Sequence, residues 1–121
     1  MVEQIVALRT YLPLAAAGLA LTKAMSKEWG RYKVCVNCVA FGFINTRLTA
    51  SYEDPASRIV IDGRVVQAGV PETLRESLPS AIPLGRCGTP EEAAGGVYIF
   101  CSPESDYISG EVLLVAGGLN F

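Results

Sequence analysis

The sequence contains no histidine, although histidine is the commonest metal ligand and a frequent general base in proteins. Charge is also sparse, since 12 acidic and 10 basic residues give a net charge of −2 over 121 residues. A chain without an excess of positive charge has no field that attracts the phosphates of DNA or RNA. We therefore expect no metal site and no nucleic-acid partner.

The four cysteines do not form a pattern that predicts a disulfide or a metal site. Cys35 and Cys38 have CxxC spacing, but they lie in a run typical of a strand, where side chains three apart point to opposite faces. We interpret both as small apolar core residues of a cytoplasmic protein, because thiols stay reduced in that compartment. The same interpretation is extended to Cys87 and Cys101.

The apolar run at residues 12–21 is too short to span a bilayer, which takes about 20 residues. Arg9 and Lys23 flank it, so it imitates the apolar core of a secretory signal. Its pattern continues as a helix into residues 23–29, whereas a cleaved signal normally ends at a break in structure. We expect no membrane partner, and a small exported protein remains the alternative.

Helical and strand patterns alternate along the chain. A helix is predicted over 12–30, with Pro13 in its first turn and Gly30 at its C-terminal cap. Residues 1–11 either extend this helix or form a separate short one. Residues 34–40 are typical of a buried parallel strand. The other predicted elements are a loop at 41–46, a turn of helix at 47–51, a hairpin at 59–66 that turns at Asp62-Gly63, a helix at 71–78, a capped helix at 89–101 and a strand at 111–116.

This order of elements predicts an α/β domain, because strand–helix–strand units favour parallel strands joined by a crossover. The length allows one domain at most, at the low end for a hydrophobic core. Two parallel strands by themselves leave edges and faces uncovered, so we expect that part of the sheet is missing from these elements.

Four segments, in order, resemble the short-chain dehydrogenase/reductase family, and within it the 3-oxoacyl-(acyl carrier protein) reductase-like members. They are LTKAMSKEWG at 21–30, VCVNCVAFGFINT at 34–46, IPLGRCGTPEE at 82–92 and SPESDYISGEVLLVAGG at 102–118. The resemblance runs from about residue 11 to the end. It implies the C-terminal part of a Rossmann-like, doubly wound α/β fold, with a helix, a parallel strand, a lid with a β-hairpin, a helix and a second parallel strand.

The resemblance also implies what the 121 residues do not contain. They include no counterpart of the family's glycine-rich turn, which binds the cofactor pyrophosphate at a helix N-terminus, or of its catalytic serine. We therefore expect a single partial Rossmann-like domain over 1–121 that lacks the N-terminal nucleotide-binding half. Residues 47–81 correspond to the family's variable substrate lid. Four apolar residues near it either line an acyl or ketone pocket or pack the lid onto the core: Phe43, Leu48, Tyr52 and Val70.

The family's Tyr-x-x-x-Lys pair falls on Tyr11 and Ala15 when the chain is aligned without gaps on Thr22-Lys23. In the family, the tyrosine protonates the developing alkoxide while hydride arrives from the nicotinamide, and the lysine lowers the tyrosine pKa. A phenol, with a pKa of about 10, is a poor acid at neutral pH without such a cation. Tyr11 is thus either the catalytic tyrosine without its partner or an ordinary aromatic residue near a helix start.

The family's Pro-Gly-x-Ile-x-Thr stretch, which binds the carboxamide end of NAD or NADP, corresponds to residues 41–46, with Phe41 in place of the proline. The resemblance implies cofactor contacts at Gly42, Phe43, Ile44 and Thr46. Gly42 would permit a tight turn, the Ile44 backbone would face the carboxamide and the Thr46 hydroxyl would offer a hydrogen bond. The alternative is a connecting loop without a ligand; we favour inherited cofactor geometry.

Two functions follow within the family. The first is an NAD(P)-dependent oxidoreductase that reduces a ketone or 3-oxoacyl substrate and is inactive as this isolated chain. The second is a noncatalytic truncated remnant that acts as an oligomerising or interaction subunit. In both cases we expect a homo-oligomer, because the first helix and last strand would otherwise expose apolar surface. A truncated or misread reading frame would explain the missing half.

Overall fold

The computed structural model of the chain describes residues 3–9 and 12–119. Its strands and helices are, in chain order, β1 (Glu3–Arg9), α1 (Leu12–Trp29), β2 (Val34–Phe41), β3 (Arg58–Ile61), β4 (Arg64–Gln67), α2 (Glu72–Ala81), α3 (Pro90–Ile99) and β5 (Val112–Val115). The described residues form two compact units. The first contains 3–9, 12–42 and 91–115, and the second contains 43–90 and 116–119.

The first unit is built on a three-stranded parallel sheet in which β2 is the central strand, in the order β1-β2-β5. β1 pairs Glu3 with Val34, and β5 pairs Val112 with Cys38. Residues 35–39 of β2 are all buried, which is typical of a central strand in a parallel sheet. The prediction that the strands near 34–40 and 111–116 are parallel neighbours is confirmed.

The prediction of a helix before residue 12 is wrong, because residues 3–9 form β1. Without β1, one edge of β2 would present unpaired N–H and C=O groups along a buried strand. Pairing with a distant strand overrides the helical continuation that the local pattern favours. β1 is also the strand whose absence made the predicted two-stranded sheet incomplete.

Asn37 is the one polar residue within the buried part of β2, and its side chain is fully enclosed. The amide Nδ2 donates to the Ile108 carbonyl at 2.8 Å, and Oδ1 accepts the Glu111 backbone N–H at 3.0 Å. The Gly110 N–H donates to the Val36 carbonyl at 2.7 Å. These bonds fix the segment that enters β5 against the central strand.

The ends of two helices differ from the prediction. α1 ends at Trp29, a 3-10 turn follows over Gly30–Tyr32, and Lys33 adopts the left-handed conformation with φ of 60°. Gly30 is therefore not the left-handed cap. α2 continues past Pro79 to Ala81, because the Ile82 N–H donates to the Leu78 carbonyl at 3.0 Å and so completes the turn around the proline.

The hairpin prediction is confirmed. β3 and β4 are antiparallel, and both residues of the turn between them have positive φ, 48° at Asp62 and 75° at Gly63. This is the pattern of a type I′ turn, whose twist matches that of the two strands.

The cysteine interpretation holds for β2 and fails on either side of α3. Cys35 and Cys38 are buried and free, as predicted, but Cys101 is exposed and Cys87 is half-buried. Cys101 follows the end of α3 and is exposed, so it is not a core residue. Across residues 3–9 and 12–119, no cluster of three or more Cys, Asp or Glu side chains could hold a metal ion.

Replacement of Asn37 by leucine tests the role of this buried amide. The Ile108 carbonyl and the Glu111 N–H would both lose their partner in an enclosed site, and each unsatisfied group costs about 1–3 kcal/mol. We expect the free energy of unfolding, measured by urea denaturation, to fall by about 2–4 kcal/mol. The same substitution at the exposed Asn45 is the control and should change stability by no more than about 0.5 kcal/mol. Equal losses in the two variants would contradict this role.

Candidate functional site

The loop at residues 42–46 leaves the carboxyl end of β2, and its first residue still belongs to the sheet. The Gly42 N–H donates to the Val115 carbonyl at 3.0 Å, which extends the pairing of β2 with β5 by one bond. Gly42 is not one of the described residues with positive φ. The expected tight turn at Gly42 is therefore not formed; the residue carries the strand geometry into the loop.

Gly88 fixes the next three residues of the loop. Its N–H donates to the Phe43 carbonyl at 2.9 Å, and its carbonyl accepts the Asn45 N–H at 2.8 Å. This is a parallel bridge between Gly88 and Ile44. In such a bridge the flanking residues bond to Gly88, so the N–H and C=O of Ile44 point away from it.

Thr49 supports the loop from the other side. Its hydroxyl donates to the Ile44 carbonyl at 2.6 Å and accepts the Thr46 N–H at 2.9 Å. The Thr46 hydroxyl is exposed and lies 3.4 Å from the Thr49 hydroxyl. Because a carbonyl has two lone pairs, the Ile44 oxygen retains one for a further donor.

The free hydrogen-bonding groups of this loop match a primary amide. Within the described parts of the chain, the Ile44 N–H has no acceptor. A carboxamide offers an oxygen that could accept from this N–H and an NH₂ that could donate to the Ile44 carbonyl or to the Thr46 hydroxyl. We call residues 42–46 the carboxamide ledge. The carboxamide of a nicotinamide is one such group.

A cavity of about 230 Å³ lies in the second unit beside the ledge. Residues from the ledge, from the turn after it, from α2 and from the segment before α3 line its walls: Phe43, Ile44, Asn45, Thr49, Arg75, Leu78, Pro79, Arg86 and Cys87. Of the two alternatives for Phe43, pocket lining agrees with this cavity. Leu48 and Tyr52 are exposed instead, with 66% and 48% of their surface accessible, and neither lines it.

The predicted catalytic pair does not form part of this arrangement. Tyr11 lies outside the described residues. Ala15, at the position of the family's lysine, belongs to the first turn of α1. Glu104, before β5, has a lowered pKa because its carboxylate accepts a hydrogen bond from its own backbone N–H and a second one from the Ser102 hydroxyl.

Sequence reasoning missed three residues that shape the site: Thr49, Arg75 and Gly88. Thr49 follows Thr46 by three residues, a spacing that allows one hydroxyl to cap a turn, so this signal was available in the sequence. Gly88 lies about forty residues beyond the end of the ledge along the chain. Arg75 lies on α2, a helix without a motif. Only the folded chain brings them to the loop.

Comparison with known proteins gives a family match over almost the whole chain. The family model described as enoyl-(acyl carrier protein) reductase matches residues 5–120. The 3-oxoacyl-(acyl-carrier-protein) reductases of Chlamydia muridarum and Thermotoga maritima are each 36% identical over 109 residues, which is 90% of this chain. The chain spans 37% of the length of these relatives. The match begins before residue 11, where the resemblance was expected to start, and includes most of β1.

Solved structures agree with the family match. A gluconate 5-dehydrogenase from Burkholderia cenocepacia, in complex with NADP and tartrate, has a TM-score of 0.73 at 27% identity, over 98% of this chain and 45% of that one. The TT0495 protein from Thermus thermophilus has a TM-score of 0.62 at 30% identity, over 86% and 37%. The prediction of an α/β fold that corresponds to part of a Rossmann-like dehydrogenase is confirmed. Among the described helices, none has both the length and the apolar character to cross a membrane.

Proposed function

This chain belongs to the short-chain dehydrogenase/reductase family, and from that premise we propose that it supplies the nicotinamide-facing part of an NAD(P)-dependent oxidoreductase. Its substrate is a ketone or a 3-oxoacyl compound, as the names of the similar 3-oxoacyl reductases suggest. The free cysteines support a cytoplasmic location. Residues 47–81 are the substrate lid of a partial Rossmann-like domain that extends over 1–121.

The observation that carries this proposal is the orientation of Ile44. The bridge to Gly88 directs the N–H and C=O of Ile44 away from Gly88, and the Thr49 hydroxyl donates to the C=O. The N–H has no acceptor among the described residues. A preformed donor and acceptor side by side lose little conformational entropy when they bind an amide. The proposed contacts are the Gly42, Phe43 and Ile44 backbone and the Thr46 hydroxyl.

The ledge would orient the nicotinamide, and hydride transfer is the chemistry that the bound cofactor supplies. The chain's own task is to hold the carboxamide, because rotation of the ring would move its reactive carbon away from the substrate. The residues that would deliver the proton are less complete than those that would hold the carboxamide. Tyr11 is the proposed donor, but Ala15 carries no charge that would lower the pKa of a phenol or hold the ribose.

The 121-residue polypeptide alone is expected to show no turnover. Most of a dinucleotide's binding energy comes from its pyrophosphate, and these residues contain no glycine-rich turn to bind it. We expect dissociation constants above about 1 mM for NADH and NADPH by calorimetry, which corresponds to less than about 4 kcal/mol of binding free energy. Steady oxidation of NADPH in the presence of a 3-oxoacyl thioester or a simple ketone would refute this expectation.

A second function, association with further copies of the chain, is favoured by exposed apolar residues of the first unit. On α1, Leu19 and Leu21 are exposed; on α3, Tyr98 and Ile99 are exposed, Tyr98 with 72% of its surface accessible. A single soluble chain rarely leaves several large apolar side chains open on two helices without a partner surface. A noncatalytic subunit that oligomerises through these helices would have this feature.

Sedimentation velocity tests the association. We expect a homo-oligomer for the unaltered chain and dissociation in Leu21→Lys, since a charge in an apolar interface is costly. Leu84→Lys is the control, because Leu84 is also exposed, with 71% of its surface accessible against 55% for Leu21, but lies in the second unit. A monodisperse monomer for the unaltered chain would count against this function.

A further inference from the structure

The charged side chains that line the cavity beside the ledge are all positive. Arg75 and Arg86 both line it, and none of the described residues that line it is acidic. The guanidinium of Arg86 is already engaged, since its Nη1 donates to the Cys87 carbonyl at 3.1 Å. Both guanidinium groups keep their positive charge, and Arg75 is the one whose side-chain donors have no acceptor among the described residues.

Arg75 is half-buried, and its guanidinium has no ion pair or hydrogen bond within residues 3–9 and 12–119, although Glu72 lies one turn earlier on the same helix. A guanidinium offers five N–H donors and stays charged at all relevant pH values. Partial burial removes some of its water, and that cost is recovered only when an acceptor binds. A carboxylate or phosphate is the acceptor whose geometry a guanidinium matches best.

The rest of the cavity wall indicates a short organic anion. Leu78 and Pro79, three and four residues after Arg75, lie on the same face of α2, and Phe43 adds an aromatic surface. The volume of about 230 Å³ is larger than the apolar cavity of about 150 Å³ that holds benzene, and it is below the usual size of a drug-sized pocket. It fits a molecule of about five to eight heavy atoms with one charged end.

We propose that this cavity binds the substrate and that Arg75 selects substrates with a carboxylate or phosphate a few carbons from the reacting carbonyl. This names the substrate class of the oxidoreductase proposed above and rests on that function only for the redox step. Anion binding itself requires no cofactor. Arg75 is here a specificity-determining residue.

The test compares two five-carbon ketones, 4-oxopentanoate and 2-pentanone, in titrations of the complete chain without any dinucleotide. Chemical shifts in ¹⁵N NMR spectra, including that of the Arg75 Nε, report binding. We expect 4-oxopentanoate to bind at least about 10-fold more tightly than 2-pentanone, because a charged hydrogen bond is lost with the carboxylate. Inorganic phosphate should compete with it, since both offer oxygens to the same guanidinium.

Variants separate the role of Arg75 from that of charge in general. Arg75→Gln should lose the preference for 4-oxopentanoate, and Arg75→Lys should retain only part of it, because an ammonium cannot bind in the forked geometry. Arg64→Gln removes an exposed arginine of the hairpin and should leave the preference unchanged. The backbone spectrum of each variant shows that it is folded.

Equal affinity for the two ketones, an unchanged preference in Arg75→Gln or an equal loss in Arg64→Gln would overturn the proposal. Binding of phosphate without binding of 4-oxopentanoate would overturn the assignment of the apolar wall to a substrate. If 4-oxopentanoate binds through Arg75 but the ledge shows no response to NADP, the anion site stands and the proposed oxidoreductase function falls.

Discussion

The burial of β2 on both edges and both faces is the constraint on which the rest of the first unit depends. A strand in that position must satisfy every backbone group through its neighbours, because water cannot reach it. β1 and β5 provide this pairing, and the Asn37 amide adds two bonds to the segment that leads into β5. The loss of either strand would leave polar groups of the core without partners.

The same strand determines where the ledge begins. Gly42 remains hydrogen-bonded to β5, so the loop leaves the sheet with a defined direction. From there, Gly88 and Thr49 hold the next residues by backbone and hydroxyl bonds, and no large side chain is needed. This explains how a phenylalanine at position 41 can replace the family's proline: the bonds that shape the loop lie after it. Ligand binding in open α/β sheets occurs at the carboxyl ends of the strands, and the ledge begins at the carboxyl end of β2.

The extent to which the sequence predicts these features follows from how local each one is. The Asp62-Gly63 turn depends on two neighbouring residues, and its type was predictable from them. β1 was not predictable from neighbouring residues, because this edge strand is stabilised by a partner strand about thirty residues away along the chain. The ledge was found through its resemblance to a family motif. Its supports at Gly88 and Thr49, and the unpaired charge of Arg75, depend on contacts that a linear pattern does not contain.

The backbone amide of Ile44 is the most direct probe of the central claim, that the ledge holds a nicotinamide carboxamide. Its ¹⁵N–¹H resonance can be followed during titration with NADP up to high millimolar concentration, in the unaltered chain, in Thr49→Val and in the control Thr73→Val, which alters an exposed residue of α2. We expect the Ile44 and Thr46 signals to shift in the unaltered chain and in the control, and to shift much less in Thr49→Val, because the loop then loses the hydroxyl that orients it. No shift at Ile44, or an equal shift in all three proteins, would contradict the claim.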